Sequence, residues 1–394
     1  MRIAVFVAAG LVVFTGLLRA QSDDDDEDEM DYYPLVPTGN SMRFGMRFIG
    51  GPKVAFHDVG SVPATRSVAD LGVTADRTYN DGYVDVDTRG TNDGQTNKWM
   101  ANYSSQVTTP TLPTVDAPNQ TVDSSIAFHV YSADSLGTTI KGRTSSASGW
   151  ELQVGRSLGK IARKVDVSWT GGFSLSGINA KRSDDVQAEL ATLTDVYSLS
   201  GQMPPSVPYT AGGSTYRDIY DSHGNPVLNP NGNGQQSTVP TPILLAQDPN
   251  LVDPAHRITY TTVQVNGHWQ IKGGYYMFRT GPTFQLPVTE RIKLSFGFGG
   301  AVAFIGSTFK VDETIDITDV LAPITNVQEK TRSLLLPAYY MDADAEYWIT
   351  ERAGLYLGAT YQGGKSFNQT LGAETATVDL GSTNGVHTGL SLRF

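Results

Sequence analysis

Residues 291–310, RIKLSFGFGGAVAFIGSTFK, decide the fold class that this sequence predicts. From Ile292 to Phe304 the even-numbered positions are mostly large and apolar, whereas the odd-numbered positions are small or polar. A repeat of two residues predicts a β-strand with one apolar face. The alternation lasts about twice as long as an ordinary strand of about 5–6 residues, and approaches the ~9–11 residues that a tilted strand needs to cross a bilayer.

A single strand of this kind cannot lie in lipid, because its backbone N–H and C=O groups would lack hydrogen-bond partners on both edges. The rest of the chain must therefore supply a closed barrel. Further alternating segments lie at residues 42–56, 150–155, 165–175, 258–286, 335–349, 353–361 and 386–394. Two shorter pieces, 98–103 around Trp99 and 125–131 around Phe128, also alternate. We therefore predict an all-β, transmembrane, antiparallel up-and-down β-barrel of ten strands, with eight strands as the alternative.

The predicted strand at residues 258–286 changes phase near its middle. Its apolar side chains are at odd-numbered positions such as Ile271 before the pair Gly273–Gly274, and at even-numbered positions such as Tyr276 after it. A β-bulge at the two glycines would explain a shift by one residue.

The connections between the predicted strands alternate in length. Those near residues 159–160, 287–290 and 350–351 are short, and those at 57–145, 179–256, 311–330 and 368–384 are long. This alternation is typical of barrels whose turns lie on one side of a membrane and whose loops lie on the other. Loops on a rigid scaffold commonly carry recognition. We expect any binding function to use the loops 57–145 and 179–256 and their aromatic residues Trp99, Tyr103, Tyr209, Tyr216 and Tyr220.

The first forty residues predict two segments that precede the barrel. Residues 1–20 have a basic Arg2, an apolar run and a final Ala20, which is typical of a secretory signal peptide. Residues 21–40 include an unbroken acidic run at 23–29, which predicts a solvated, disordered tail. The barrel and its long loops then occupy residues 41–394.

The composition excludes several classes of function. The chain has no cysteine, so a disulfide framework, a thiol nucleophile and a lipidated cysteine are all excluded. Loss of Arg2 and Arg19 with the signal peptide takes the formal net charge from −11 to −13. A strongly acidic protein argues against nucleic acid as a partner.

The closing segment VHTGLSLRF, residues 386–394, ends on an aromatic residue behind alternating apolar positions. Together with the signal peptide and the repeated alternation, it resembles the ending of bacterial outer-membrane β-barrel proteins. The chain resembles in particular small barrels with long extracellular loops, some of which carry a segment like NDGYV at residues 80–84. The resemblance implies a place in the Gram-negative cell outer membrane, with outer-membrane lipid and the barrel-assembly machinery as partners. It also implies that an assembly signal is formed by Val386, Leu390, Leu392 and Phe394.

Signs of catalysis or metal binding are weak. Asp221, Ser222 and His223 are adjacent, and neighbouring side chains of an extended chain point apart, so their adjacency does not predict a catalytic triad. Asp218, Asp221 and Asn225 offer oxygen ligands for Ca²⁺, but their spacing matches no established calcium loop. We therefore predict no catalytic residue, no metal site and no cofactor.

The inward positions of the predicted strands carry charges of both signs. They are Arg43, Arg47, Lys53, Glu151, Asp166, Arg279, Lys293, Asp342, Asp344, Glu346 and Arg352. Mixed charges are costly in a dry interior unless they pair, and a barrel of about eight strands has an interior just filled by side chains. We therefore predict a non-enzymatic barrel with a lumen closed by this charge network and a structural or loop-mediated surface-binding role. A narrow porin-like channel for small solutes and a surface hydrolase at the barrel rim stay open as alternatives.

Overall fold

A computed structural model describes residues 39–87, 94–108, 124–162, 165–210, 214–218, 238–249, 257–317 and 322–394. The predicted signal peptide and nearly all of the acidic tail lie outside these ranges. Within them the chain is almost entirely β, with a short 3-10 helix at Ser104–Gln106. No helix in the described ranges is long and apolar enough to cross a membrane.

A ring of long strands forms the frame of the molecule. The strands are β1 (Asn40–Ile49), β2 (Ala147–Ala162), β3 (Val165–Ser198), β4 (Ile258–Pro287), β5 (Ile292–Ile315), β6 (Ile324–Trp348), β7 (Ala353–Gly364) and β8 (Thr383–Arg393). Each pairs antiparallel with its neighbours along the chain, and β8 pairs back with β1. The described residues therefore form a closed up-and-down barrel, and the predicted fold class is confirmed.

The ring closes where its first and last strands meet. The backbone N–H of Phe394 donates to the carbonyl oxygen of Asn40 at 3.1 Å, and that of Asn40 donates to the carbonyl oxygen of Phe394 at 3.0 Å. The register continues with Met42 opposite Leu392 and Phe44 opposite Leu390. Closure gives both edge strands a partner, so no open sheet edge is left in the ring of described strands.

The ring of described strands has eight members, which is the alternative count that the sequence left open and not the preferred count of ten. The piece around Trp99 is the short strand Trp99–Ala101, which pairs with Gly82–Val84 outside the ring. The piece around Phe128 belongs to the strand Ser125–Ser135, which pairs with the far end of β3. Trp99 and Phe128 are both 0% exposed. Their alternation therefore reflects burial in a protein core.

Short turns join the strands at one end of the ring, and longer connections join them at the other. Two of the predicted loop bounds are wrong: β3 continues to Ser198, inside the predicted loop 179–256, and β5 and β6 run to Ile315 and from Ile324, inside the predicted loop 311–330. The predicted first turn at 159–160 is wrong, because β2 continues past Gly159 to Ala162 and β3 begins at Val165. The register of β2 against β3 is irregular there, and Gly159 has φ +105, a backbone conformation that glycine adopts without strain.

Along β3 to β6 the apolar side chains change from the outward face of the barrel to the inward face. Toward the short turns the outward side chains are apolar and exposed, as for Phe278, Phe296, Val302, Met341 and Leu357. Toward the long connections the outward side chains are polar, and the buried inward ones are apolar, including Ile178, Trp269, Ile271, Phe309 and Val311. We call the first part the lower barrel and the second part the extension.

Three paired glycines mark the change from lower barrel to extension. Gly177, Gly274 and Gly306 lie opposite one another across β3, β4 and β5, and we call them the glycine row. The register runs through Gly273 and Gly274 without a shift on either side, so the predicted bulge is wrong. The change of phase in the sequence has another cause: apolar side chains point outward below the row and inward above it.

A second sheet packs against the inner face of the extension. Its strands are Phe367–Leu371, Glu374–Asp379, Lys53–His57 and Thr139–Lys141. Phe56 of this sheet stacks on Phe309 of β5 with 5.7 Å between ring centroids. The predicted first strand at residues 42–56 therefore ends at Ile49, and Phe56 points into a protein core and not outward.

The long connections fold into a cap, which comprises residues 77–87, 94–108, 124–135, 199–210 and 238–249. Its small sheet contains Arg77–Thr78, Gly82–Val84, Trp99–Ala101 and Tyr209–Thr210. The remaining short pairs are Gln95–Thr96 with Leu245–Ala246, Val107–Thr108 with Ser125–Ser135, Ser214–Asp218 with Thr238–Pro242, and Arg143–Thr144 with β3. The cap core includes Trp99, whose indole Nε1–H donates to the carbonyl oxygen of Ile243 at 3.0 Å.

Gly273 allows a test of the unbroken register at the glycine row. A Cβ atom there would collide with the backbone carbonyl of Gly306, whereas a Cβ at the outward Gly300 would meet nothing within 4 Å. We expect Gly273→Ala to lower the free energy of unfolding by about 1–3 kcal/mol, because the sheet must shift to admit the methyl group. Urea unfolding followed by tryptophan fluorescence measures the effect, with Gly300→Ala as the control. Equal midpoints for the two variants would contradict the close approach of β4 and β5 at this row.

Candidate functional site

The lumen of the lower barrel contains a network of buried charged side chains. Its cations are Arg43, Arg47, Arg279 and, as argued below, His387; its anions are Glu151, Asp342, Asp344 and Glu346. Each of these residues is at most 7% exposed. The network is therefore balanced in charge, which offsets part of the large cost of removing ions from water.

Arg43 on β1 joins two carboxylates of β6. Its Nη1 lies 2.7 Å from Asp344 Oδ2, and its Nε donates to Glu346 Oε1 at 2.7 Å. Its Nη2 also donates to Ser295 Oγ on β5 at 3.0 Å. A guanidinium that donates in several directions holds these strands together across the lumen.

Glu151 on β2 is the centre of the network. It accepts from Arg279 Nη2 at 3.0 Å and from the hydroxyl of Tyr356 at 2.8 Å, and it lies 3.5 Å from Arg47 Nε. Arg279 also donates to Asp342 Oδ2 at 2.5 Å. Because Glu151 is 1% exposed, the hydrogen bonds from Arg279 and Tyr356 replace water that the carboxylate lost on folding, and Arg47 adds a charge contact without a hydrogen bond.

His387 on β8 lies between two carboxylates. Its Nδ1 is 2.6 Å from Glu151 Oε1, and its Nε2 is 2.7 Å from Asp344 Oδ1. The contact of Nδ1 is a hydrogen bond, and that of Nε2 is a charge contact without hydrogen-bond geometry. A ring with hydrogen on both nitrogens is cationic and attracts both carboxylates, whereas a neutral ring offers a single N–H. This geometry therefore assigns His387 to the cations of the network.

The structure brings most of the predicted lumen charges together and leaves others aside. Lys293 is buried, at 8% exposure, and Asp166 is half-buried near the short-turn end. Lys53 is exposed on the second sheet, because β1 ends before it, and Arg352 is exposed in the turn before β7. The prediction that Lys53 and Arg352 line the lumen is wrong.

The predicted network lacks His387 and Tyr356. The alternation that places Val386 outward on β8 also places His387 inward, so the sequence does indicate the position. The prediction includes only inward residues that carry a full charge at neutral pH, and it therefore omits histidine and tyrosine. The sequence does not indicate which partners meet across the lumen, because that depends on the register around the whole ring.

A second polar cluster lies where the cap meets the strand Ser125–Ser135. Asn80 and Asp81 form a hairpin turn, and Asp81 Oδ1 accepts from the backbone N–H of His129 at 2.8 Å. Asp81 Oδ2 lies 2.6 Å from His129 Nδ1. Asp81 thereby fixes the imidazole and docks the turn on the strand. Within the described ranges His129 Nε2 has no hydrogen-bonded nucleophile, so this pair alone is no catalytic site.

The aromatic residues expected to serve recognition have other roles or lie elsewhere. Trp99 and Tyr209 are in the cap core with ring centroids 4.3 Å apart, so they are unavailable to a ligand, and Tyr103 is half-buried. Tyr216 lies in the strand Ser214–Asp218. Tyr220 and the candidate residues Asp221, Ser222, His223 and Asn225 lie outside the described ranges.

Two glutamates meet inside the extension, beyond the apolar outer belt. Glu313 on β5 is 0% exposed and accepts from the N–H of Gly60 at 2.7 Å and from Trp269 Nε1 at 2.9 Å. Glu374 of the second sheet is 2% exposed. Burial and the nearby Glu313 raise the pKa of Glu374 to about 10, and burial raises the pKa of Glu313 as well. Two ionised carboxylates are unfavourable at this place, and the two N–H donors to Glu313 favour the proton on Glu374.

Comparisons with known proteins give distant likenesses. No protein-family model and no curated protein matches the chain. It is similar to the outer membrane protease OmpT of Escherichia coli, with 8% identity, 91% of this chain and 97% of that chain covered, and TM-score 0.29. Ail, the attachment invasion locus protein of Yersinia pestis, gives 10% identity, coverages of 90% and 99%, and TM-score 0.22. The toluene transporter TodX of Pseudomonas putida gives 7% identity, with 91% of this chain and 90% of that chain covered, and TM-score 0.14. Similarity at these scores carries no information about activity.

Removal of Asp344 tests the lumen network. Asp344→Ala leaves Arg43 and His387 without one of their anions, and we expect it to lower the free energy of unfolding by about 3–5 kcal/mol. Urea unfolding in lipid vesicles measures the loss, and Glu351→Ala in an exposed turn is the control, with an expected change within about 0.5 kcal/mol. A wet lumen predicts the contrary: little change in stability for Asp344→Ala and altered ion selectivity.

The glutamate pair predicts a pH dependence of the extension. A glutamate in the unfolded chain titrates near its ordinary value, about 4.3, so the raised pKa of Glu374 gives stability that is fully present below that value. This stability is lost as pH rises toward about 10. We expect hydrogen exchange of the hairpin Phe367–Asp379, corrected for intrinsic rates, to show weaker protection at pH 9 than at pH 6. Glu374→Gln should abolish the difference, and the exposed Glu329→Gln should keep it. If Glu374→Gln kept the same difference in protection between pH 6 and pH 9, Glu374 would not be the group that titrates.

Proposed function

We propose that the protein is a Gram-negative outer-membrane barrel with a closed lumen, which holds the cap at the cell surface for a structural or binding role. The observation that carries this proposal is the exchange of chemistry at the glycine row. The lower barrel is apolar outside and charged inside, as lipid requires of a closed ring. The extension is polar outside and apolar inside, as water requires.

The orientation follows from the connections. Short turns on the periplasmic side and long connections on the outer side are the usual arrangement of such barrels. Phe394 is 64% exposed on the outside of the closing strand, and Val386 and Leu390 are more than half exposed on the same face. Their outward position supports their reading by the barrel-assembly machinery, and the predicted signal peptide supports export.

The lumen network supports a plug over a pore. Three arginines and one histidine meet four carboxylates across the lower barrel, and the members of the network are almost fully buried. A conducting pore needs a continuous wet path, whereas eight strands leave an interior that side chains can fill. The apolar core of the extension lies above the network and adds a second obstruction.

The cap supports a role at the surface. It has its own apolar core, which includes Trp99, Phe128 and Tyr197, and it is built on the far end of β3. Arg257 Nε donates to Asp195 Oδ1 of β3 at 2.7 Å, and the Tyr79 hydroxyl donates to Asp195 Oδ2 at 2.7 Å. A cap fixed in this way can present a rigid surface to an extracellular partner.

Single-channel recording tests the closed lumen. We expect the refolded protein to show heat-modifiable gel mobility, as a folded barrel does, and no steady current in planar bilayers, because the charge network fills the lower barrel. A known porin inserted under the same conditions is the positive control. Steady currents from the unmutated protein would favour the narrow channel. Absence of any heat-modifiable form would count against the membrane barrel itself.

A further inference from the structure

A groove opens on the outer surface of the barrel at the level of the glycine row. Its volume is about 350 Å³, and its walls include Met46, Trp150 and Leu175. Gly177 and Gly274 form part of its floor. A Cβ atom at Gly177 would meet nothing within 4 Å, so the groove is open because these outward positions lack side chains.

The walls of the groove are suited to hydrocarbon. Trp150 is 50% exposed and Met46 is 38% exposed. Phe44 stacks on Trp150 with 5.4 Å between ring centroids, so the indole is held in place. A tryptophan at the end of an apolar belt is typical of the boundary between hydrocarbon and headgroups.

Basic side chains lie directly beyond the groove on the same face. Lys272 lies two residues before Gly274 on β4, at the next outward position, and it is paired with Asn179 and Thr308. Lys181 follows Gly177 along β3 and is paired with Arg143. Lys181, Lys272 and Arg143 are exposed, and we call them the basic rim.

The basic rim lacks anions of its own. Within the described ranges neither Lys181 nor Lys272 has an ion-pair partner, and Asp184, the carboxylate whose charge Arg143 feels, is already bound by Arg182. Like charges directly opposite each other on paired strands are destabilising. An anion from outside the chain would therefore stabilise the Arg143–Lys181 pair. Lys310 is not part of the rim, because it lies 3.8 Å from Asp312.

Lys272, the lowest residue of the basic rim, lies within side-chain reach of the headgroup layer. Lys272 lies four residues from the outward Tyr276, which is about 13 Å of strand, or about 10 Å above it for a tilt of about 40°. The headgroup layer adds about 5–8 Å to each side of the hydrocarbon core. A lysine side chain can bend toward that layer while its stem stays on the sheet.

We infer that the groove and the basic rim together bind a membrane lipid whose phosphate headgroup carries a net negative charge. The acyl chain lies against Trp150 and the glycine floor, and the phosphate lies between Lys272, Lys181 and Arg143. The inference rests on the proposed membrane location. A lipid fits this surface better than free phosphate, because the apolar groove and the cations are continuous.

Quenching of Trp150 by brominated lipids tests the inference. The refolded protein is inserted into phosphatidylcholine vesicles that contain a small fraction of either phosphatidic acid or phosphatidylcholine with the same brominated chains. The difference between the unmutated protein and Trp150→Phe isolates the signal of Trp150. We expect phosphatidic acid to quench it more strongly at equal fraction, and millimolar inorganic phosphate to leave this preference unchanged.

Matched variants separate the two parts of the site. Lys272→Glu and Lys181→Glu should each lower the preference for phosphatidic acid by at least about fivefold, whereas the exposed Lys365→Glu should not. Gly177→Leu should reduce quenching by both lipids, because leucine fills the groove, and Gly300→Leu on the open outer face of β5 should not.

The outcomes distinguish this inference from the proposed function. Insertion with equal quenching by both lipids, or displacement by inorganic phosphate, overturns the lipid site and leaves the membrane location standing. Failure to insert overturns both.

Discussion

The structure depends on one constraint, which is that every backbone N–H and C=O of a strand in hydrocarbon must be hydrogen-bonded within the protein. Pairing of β1 with β8 meets it, through Asn40 and Phe394 at one end and Ile49 and Gly385 at the other. Once the ring is closed, the side chains divide into two sets by the alternation of each strand. The inward set must then be made compatible with a narrow interior.

The interior solves this problem differently in its two parts. In the lower barrel, arginines from β1 and β4 and a histidine from β8 meet carboxylates from β2 and β6. In the extension, aromatic and aliphatic residues from β3 to β6 pack against a second sheet. The lower barrel therefore depends on electrostatic pairing among buried side chains, and the extension depends on burial of apolar surface. In the lower barrel, loss of one partner leaves a buried charge without its counterion. In the extension, loss of an apolar side chain leaves a cavity.

Much of this could be predicted from the sequence, and the failures have physical causes. Alternation in residues 291–310 and in the other long strands predicts an antiparallel barrel, because a period of two follows directly from strand geometry. Alternation does not say which face meets lipid, so the exchange at Gly274 has the same pattern as a bulge, and the segments around Trp99 and Phe128 have the same pattern as membrane strands. Pairs such as His387 with Glu151 connect residues far apart in sequence, and only the register of the closed ring brings them together.

The extension has a mechanical consequence. β3 and β4 run for 34 and 30 residues, whereas β1 and β8 have 10 and 11, and the ladder between β3 and β4 passes the glycine row without interruption. The cap is therefore attached to the lower barrel through a continuous β-ladder, which has no flexible joint between its described residues at the glycine row. A sideways load on the cap would be resisted by a torque on the lower barrel, and would tilt the whole cylinder in its surroundings before it bent the sheet. Such a molecule would transmit the direction of an external pull as well as its strength.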